Sequence, residues 1–205
     1  MNRNLREFIK EVDQRKQLRR IKTLVDPELE IAEISNRLLQ AGGPALLFEN
    51  VKGSNFPLVV NLLGTVERVC WALKVEKPEE LEILGKKLAM LQQPKPPKNI
   101  SQAIDFGKVL FDVIKAKSGN SFFPPCQQLI LKDEKVDLSI LPLIRPYPKD
   151  AGKIITFGLV ITKDCETGTA NVGVYRLQLQ SKNTMTVHWL SVRGGARHLR
   201  KAKEA

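Results

Sequence analysis

Cysteine is scarce in this sequence. Three residues in 205 (Cys70, Cys126 and Cys165) stand far apart, with no C-x-x-C pair. That excludes a disulfide scaffold or a zinc knuckle and suits a reducing, cytoplasmic setting. Long apolar runs are also missing, and none approaches the ~18–20 residues that span a bilayer. The opening MNRNLREFIKEVDQ carries acids and lacks an apolar core, so no secretory signal is expected. Aromatic residues make up only 6%, and acids are outnumbered, 22 against 33 Lys and Arg, which gives a net charge of +11. A basic chain invites a nucleic-acid reading. Here the basic residues are scattered, with modest clusters at Arg15–Lys22 and Arg193–Lys203, and no aromatics interleave with them as stacking platforms. A solvated basic surface that favours anionic small molecules or lipid headgroups is the better expectation, and no nucleic-acid partner is expected.

Hydrophobic residues reach 42%, enough for a sizeable core. Leu5, Phe8, Ile9 and Val12 follow the helical period, which predicts a helix over 3–15. Residues 17–25 read as a strand. Asp26-Pro27 offers an N-cap and a proline at N1, with Ile31, Ile34 and Leu38 as the buried face of the helix that follows and Gly42-Gly43-Pro44 as its end. Short apolar runs at 45–48 and 57–63 read as strands. Thr65 can cap a helix over 66–73, and Leu81, Leu84, Leu88 and Leu91 mark another from Pro78. QQPKPPKN (Gln92–Asn99) cannot propagate a helix or a central strand, which sets a domain boundary, and a helix is expected over 101–116.

After about residue 126 the texture turns to β, with runs at 127–131, 154–162, 172–180 and 184–190 and turn chemistry at Asp164–Gly168. The expected organisation is α+β: an N-terminal α/β domain (1–93), a connector with a helix (94–125), and the first strands of a β-barrel (126–205). Three or four strands without closure leave an exposed edge, and ARHLRKAKEA reads as a basic helix without a stop signal. Along Asn171-Val-Gly-Val-Tyr-Arg-Leu-Gln178, alternation places Asn171, Gly173, Tyr175 and Leu177 on one face. Val172, Val174, Arg176 and Gln178 take the other. Arg176 among valines needs an anion or a route to water. Arg193-Gly194-Gly195 between a strand and a helix lets backbone N–H groups approach an anion closely. Trp71 and Phe48 read as core, Cys70 as a small buried hydrophobe and Cys165 as an exposed thiol.

These motifs together resemble the N-terminal part of the UbiD family of flavin-dependent decarboxylases. The resemblance runs through L-R-E-F-I, V-D-P-E-L-E-I-A-E-I (Val25–Ile34), A-G-G-P-A-L-L-F-E-N-V-K-G (Ala41–Gly53), L-P-L-I-R-P-Y-P (Leu141–Pro148), I-T-K-D (Ile161–Asp164), N-V-G-V-Y-R-L-Q (Asn171–Gln178) and H-W-L-S-V-R-G-G-A (His188–Ala196). It implies a split β-barrel flavin-binding domain and non-oxidative decarboxylation of an aromatic or unsaturated acid, of the kind used in ubiquinone or plastoquinone biosynthesis. The implied cofactors are prenylated FMN, Mn2+ or another divalent metal, and K+. The implied partners are the aromatic carboxylic acid, other copies in a homo-oligomer, a flavin prenyltransferase as cofactor supplier, and the membrane periphery.

The resemblance assigns Asn171 as a metal ligand. Val174, Tyr175, Arg176, His188, Trp189, Leu190, Arg193 and Gly194 are assigned to the cofactor, and Arg176 to the substrate carboxylate. In many family members a metal-ligating histidine stands four residues after the position of His188. Here that residue is Val192, so a water or another ligand takes its place. His198 is one nearby imidazole, and His188 is another of the wrong strand parity. The family enzyme is more than twice this length. A second metal carboxylate, the catalytic acid and the rest of the barrel are therefore expected beyond Ala205. The alternative is a non-catalytic fragment that grips a cofactor or anion.

Overall fold

The computed structural model describes residues 4–92, 106–108, 111, 122, 124 and 127–205. The expected connector, most of the 101–116 helix and Cys126 lie outside the described residues. The order is α1 (Leu5–Gln14), β1 (Leu18–Ile21), α2 (Glu30–Gln40), β2 (Ala45–Phe48), β3 (Leu58–Val60), α3 (Val66–Leu73) and α4 (Pro78–Gln92). Then follow β4 (Ile154–Lys163), β5 (Ala170–Leu179), β6 (Met185–Val187) and α5 (Gly194–Glu204). This is the mixed α/β class that the sequence implies. By contacts the chain forms two units, one of residues 1–8 and 65–131, the other of 9–64 and 132–205.

In the first unit, Thr65 caps α3 as expected, its hydroxyl accepting from the Arg68 N–H at 3.3 Å. Arg68 and Cys70 are buried on that helix, and burial pushes the Arg68 guanidinium down from its ordinary value. Gln127–Leu131 forms no strand, contrary to expectation. Its leucines and isoleucine stand exposed, so the apolar run has no sheet partner to bury it.

The second unit holds two three-stranded sheets. In the first, β2 is central, parallel to β1 and antiparallel to β3. Its core is Val25, Ile31, Leu46, Phe48 and Val51, with Ile34 and Leu38 of α2 packed against it. Alternate and helically spaced apolar residues thus close one small core, as their periods require. The start of α2 differs from expectation. The helix begins at Glu30 rather than Pro27, preceded by Leu29 in the left-handed region (φ 70°). Asp26 makes a turn instead of a helix cap: its Oδ1 accepts from the Glu28 N–H at 2.9 Å. The cause is a distant strand-like bridge, in which Arg145 N–H donates to Pro27 O and Leu29 N–H to Arg145 O. The Arg145 guanidinium adds bonds to Glu28 Oε1 at 2.6 Å and to the carbonyls of Pro148 and Asp150. These contacts outweigh the local preference for a helix start at proline.

The second sheet runs β4-β5-β6, all antiparallel, with a bulge between Ile155 and Gly158. Strand β6 is three residues long rather than the seven of 184–190. The turn after β4 forms as read: Asp164 Oδ1 accepts from the N–H groups of Glu166 and Thr167.

Candidate functional site

The site residues cluster on β5 and on the segment that carries β6 into α5. Alternation along β5 holds. Tyr175 is buried and Asn171, Gly173 and Leu177 are half-buried, whereas Val172, Val174 and Arg176 are exposed. The covered face lies under α5. Two glycines permit this approach. A Cβ on Gly194 would overlap the Asn171 amide oxygen, and one on Gly195 would overlap the Trp189 ring. The Gly195 N–H donates to the Tyr175 hydroxyl at 3.1 Å. The Tyr175 and Trp189 rings meet edge to face, with centroids 4.9 Å apart. Tyr175, Trp189 and Gly195 therefore lock helix to sheet, and the tyrosine hydroxyl takes one of the first helical N–H groups that were expected to meet an anion.

Asn171 sits at the mouth of this lock. Its amide oxygen lies against the first residue of α5, where helix N–H groups and the dipole supply positive potential. Its cross-strand partner is Thr162, whose Oγ1 accepts from Asn171 Nδ2 at 3.5 Å. Thr162 Oγ1 is also 3.0 Å from His198 Nδ1. His198 is buried on α5, and its Nε2 faces Asp164 Oδ2 at 3.9 Å. Asp164 is itself buried and lies 3.2 Å from Lys201 Nζ, which also pairs with Glu166. Backbone N–H donation from Thr167 leads the effects that hold the Asp164 carboxyl down to about 2, with Lys201 adding to it against the cost of burial. The same two carboxylates raise the Lys201 ammonium.

The other assigned residues lie elsewhere. Phe157, Leu159 and Ile161 of β4 join Val172 and Val174 of β5 as an exposed apolar strip, with Leu159 paired to Val174 and Ile161 to Val172. Arg176 ends this strip, opposite the bulge of β4, and has no ion-pair partner among the described residues. His188 is exposed and its N–H donates to Arg176 O. Leu190, Val192 and Arg193 are exposed, Val192 almost fully at 91%. The structure thus gathers Asn171, Gly194, Tyr175 and Trp189 on the helix-covered face. It places Val174 and Arg176 on the opposite one. Thr162 and Asp164 join the first group, although neither is assigned a site role from the sequence. Only the I-T-K-D motif marked them, because their link to Asn171 and His198 is tertiary.

The fit to a metal is partial. Asn171 offers one hard amide oxygen, suited to Mn2+ or Mg2+. Among the described residues no group of three His, Cys, Asp or Glu side chains could hold a metal. The fit to an anionic cofactor rests on the start of α5 and on the exposed cation Arg193 that precedes it, whereas Arg176 lies on the opposite face of the sheet.

The described chain is thus a mixed α/β portion followed by a helix-capped antiparallel sheet, with Asn171 of β5 set against the first residue of α5. Residues 9–88 match the 3-octaprenyl-4-hydroxybenzoate carboxy-lyase N-terminal domain, and residues 118–205 match the Rift-related domain of the same enzymes. The chain belongs to the UbiD carboxy-lyase family. It is 76% identical over 204 residues to the Synechocystis protein sll0936, covering 100% of this chain and 41% of that one. Among solved structures it is similar to the closed form of vanillic acid decarboxylase from Sedimentibacter hydroxybenzoicus. There the TM-score is 0.79 at 26% identity, covering 100% of this chain and 40% of that one. It is also similar to an evolved dimeric form of the UbiD-class enzyme HmfF from Pelotomaculum thermopropionicum in complex with prFMN. That match has a TM-score of 0.74 at 28% identity and covers 99% of this chain and 42% of that one. The chain thus spans about two-fifths of the relatives it matches. No described helix is long and apolar enough to cross a membrane.

Proposed function

We propose that this chain forms the N-terminal portion of a decarboxylase that releases CO2 from an aromatic or unsaturated carboxylic acid, using prenylated FMN. The observation that carries this reading is Asn171, whose amide oxygen stands at the start of α5 in the family's N-x-G-x-Y-R motif. Asn171 would supply one ligand to a divalent ion, Mn2+ in the first instance, whose charge would favour the cofactor phosphate. Arg193 and the first turn of α5 would add to the attraction for that phosphate. When bound, the flavin serves as the sink for the electron pair left by departing CO2.

The chain's own residues bind and orient. The apolar strip of Leu159, Ile161, Val172 and Val174 suits a flat conjugated ring. Arg176, at its end, would hold the substrate carboxylate through two parallel N–H donors while neighbouring apolar side chains exclude water. His188 and Leu190 would border the same face. Val174 would touch the ring, and Tyr175, Trp189 and Gly194 would act by fixing the wall behind it. The carboxylates that complete the metal shell and move the proton would come from sequence beyond this chain.

A polyprenyl-hydroxybenzoate-like acid of quinone biosynthesis is the proposed substrate class, with a homo-oligomeric enzyme supplied by a flavin prenyltransferase. A K+ ion, a cytoplasmic location and contact with the membrane periphery belong to the same reading. The test is CO2 release from hydroxybenzoate and cinnamate-type acids, by a complete enzyme containing this segment and by the 205-residue chain alone, with prenylated FMN, Mn2+ and K+ supplied. Turnover by the complete enzyme and none by the chain is expected. No cofactor-dependent CO2 release from any such acid by the complete enzyme would favour the non-catalytic reading.

A further inference from the structure

The assigned roles leave one buried group unused, the histidine of α5. We infer that His198 is a positioning residue: through Thr162 it fixes the side-chain amide of Asn171 so that the oxygen, not the nitrogen, faces the start of α5. An asparagine amide can be turned over with little change of shape, and only its hydrogen-bond partners decide which end is the acceptor. Here the partners form a directed series. Asn171 Nδ2 has protons to donate and meets Thr162 Oγ1 at 3.5 Å. A hydroxyl has a single proton, and the next acceptor within reach is His198 Nδ1 at 3.0 Å. Thr162 therefore accepts from Asn171 and donates to His198. The imidazole proton then sits on Nε2, the nitrogen that faces Asp164 Oδ2.

The far end of the series is anchored. Asp164 is fixed by the Glu166 and Thr167 N–H groups and by Lys201, so its acceptor oxygen cannot turn away. His198 is only 4% exposed, and water does not compete for its ring nitrogens. The groups facing it from the packed elements are Thr162 of β4 and Asp164 after β4, with Lys201 one turn further along α5. Reversing the Asn171 amide would set its NH2 group against the helix start, where the positive potential favours the oxygen.

This inference rests on the proposed role of Asn171 as a metal ligand for its consequence, but not for its geometry. The geometry is tested on the 205-residue chain by the 15N signature of the His198 ring, which is expected to show protonation at Nε2 alone. In Thr162→Val that signature should change, because Nδ1 loses its donor. The consequence is tested in a complete enzyme containing this segment by Mn2+ affinity, followed by the electron paramagnetic resonance signal of free Mn2+. Thr162→Val and His198→Phe should weaken Mn2+ by about tenfold or more, the usual cost of removing a residue that orients a ligand. Thr162→Ser and His198→Asn, which restore a hydroxyl and an acceptor at the Nδ1 position, should bind close to wild type. A proton on Nδ1, or unchanged Mn2+ affinity in Thr162→Val and His198→Phe while Asn171→Ala loses it, would overturn the inference alone. Unchanged affinity in Asn171→Ala would instead overturn the ligand role, and the ring signature would then decide the orientation by itself.

Discussion

The backbone N–H of Gly195 donates to the hydroxyl of Tyr175, and this one buried bond ties the first turn of α5 to the middle of β5. Both residues belong to motifs that the family resemblance assigns to the cofactor. Their geometry gives them an earlier task, which is to hold Asn171 and the helix start in a fixed relation. Tyr175→Phe keeps the ring on Trp189 and removes the acceptor, leaving a buried N–H without its partner. A loss of about 1–3 kcal/mol is expected, read from urea unfolding, with the Trp189 fluorescence maximum little changed in the native state. A loss near zero would mean that water replaces the hydroxyl.

Gly194 tests how tightly Asn171 is seated. In Gly194→Ala the new Cβ meets the Asn171 amide oxygen, so either the helix or the amide must move. A cost of about 1–3 kcal/mol is expected from overpacking. The Asn171 side-chain amide resonances should also shift, whereas Gly85→Ala, with open space around it, should not destabilise. Equal stability of the two variants would contradict the close approach.

Asp164 sets an acid limit. Its carboxyl titrates near 2 in the fold and near 3.9 in an unfolded chain. A depressed carboxyl adds stability above its unfolded value and loses it as pH falls through its folded one. The contribution should therefore be complete above about pH 4 and fade toward pH 2. Asp164→Asn should lower stability at pH 7 and flatten the acid limb, as measured by urea midpoints from pH 7 to pH 2. Parallel curves for the two proteins would exclude this role.

How much of this was legible in the sequence depended on the range of the interaction. The periods of α1 and β5, the Thr65 cap and the Asp164 turn are local, and each formed as read. The alternation on β5 correctly separated Asn171 and Tyr175 from Val174 and Arg176. The start of α2 was misread because the deciding partner, Arg145, lies 117 residues from Glu28, and no local pattern encodes it. The run Gln127–Leu131 has strand composition but no paired neighbour. The approach of His198 to Thr162 spans 36 residues and two elements, so the sequence offered His198 only as a nearby imidazole and gave Thr162 no role until α5 was laid across the sheet.

Arg176 carries the substrate side of the proposal. Lysine in its place keeps the charge but loses the planar fork that can hold two carboxylate oxygens at once. In a complete enzyme, Arg176→Lys should be nearly as damaging to kcat/KM as Arg176→Ala, with protein yield unchanged because the residue is exposed. Near-normal kcat/KM in the lysine variant would remove the bidentate role.

The central claim is that Asn171 anchors the metal and, through it, the flavin. The direct measurement is the manganese and flavin content of a purified complete enzyme containing this segment, as wild type and as Asn171→Ala, with near-UV circular dichroism to show that both are folded. The account predicts a folded variant that has lost both metal and flavin. A folded variant with unchanged manganese and flavin would contradict it.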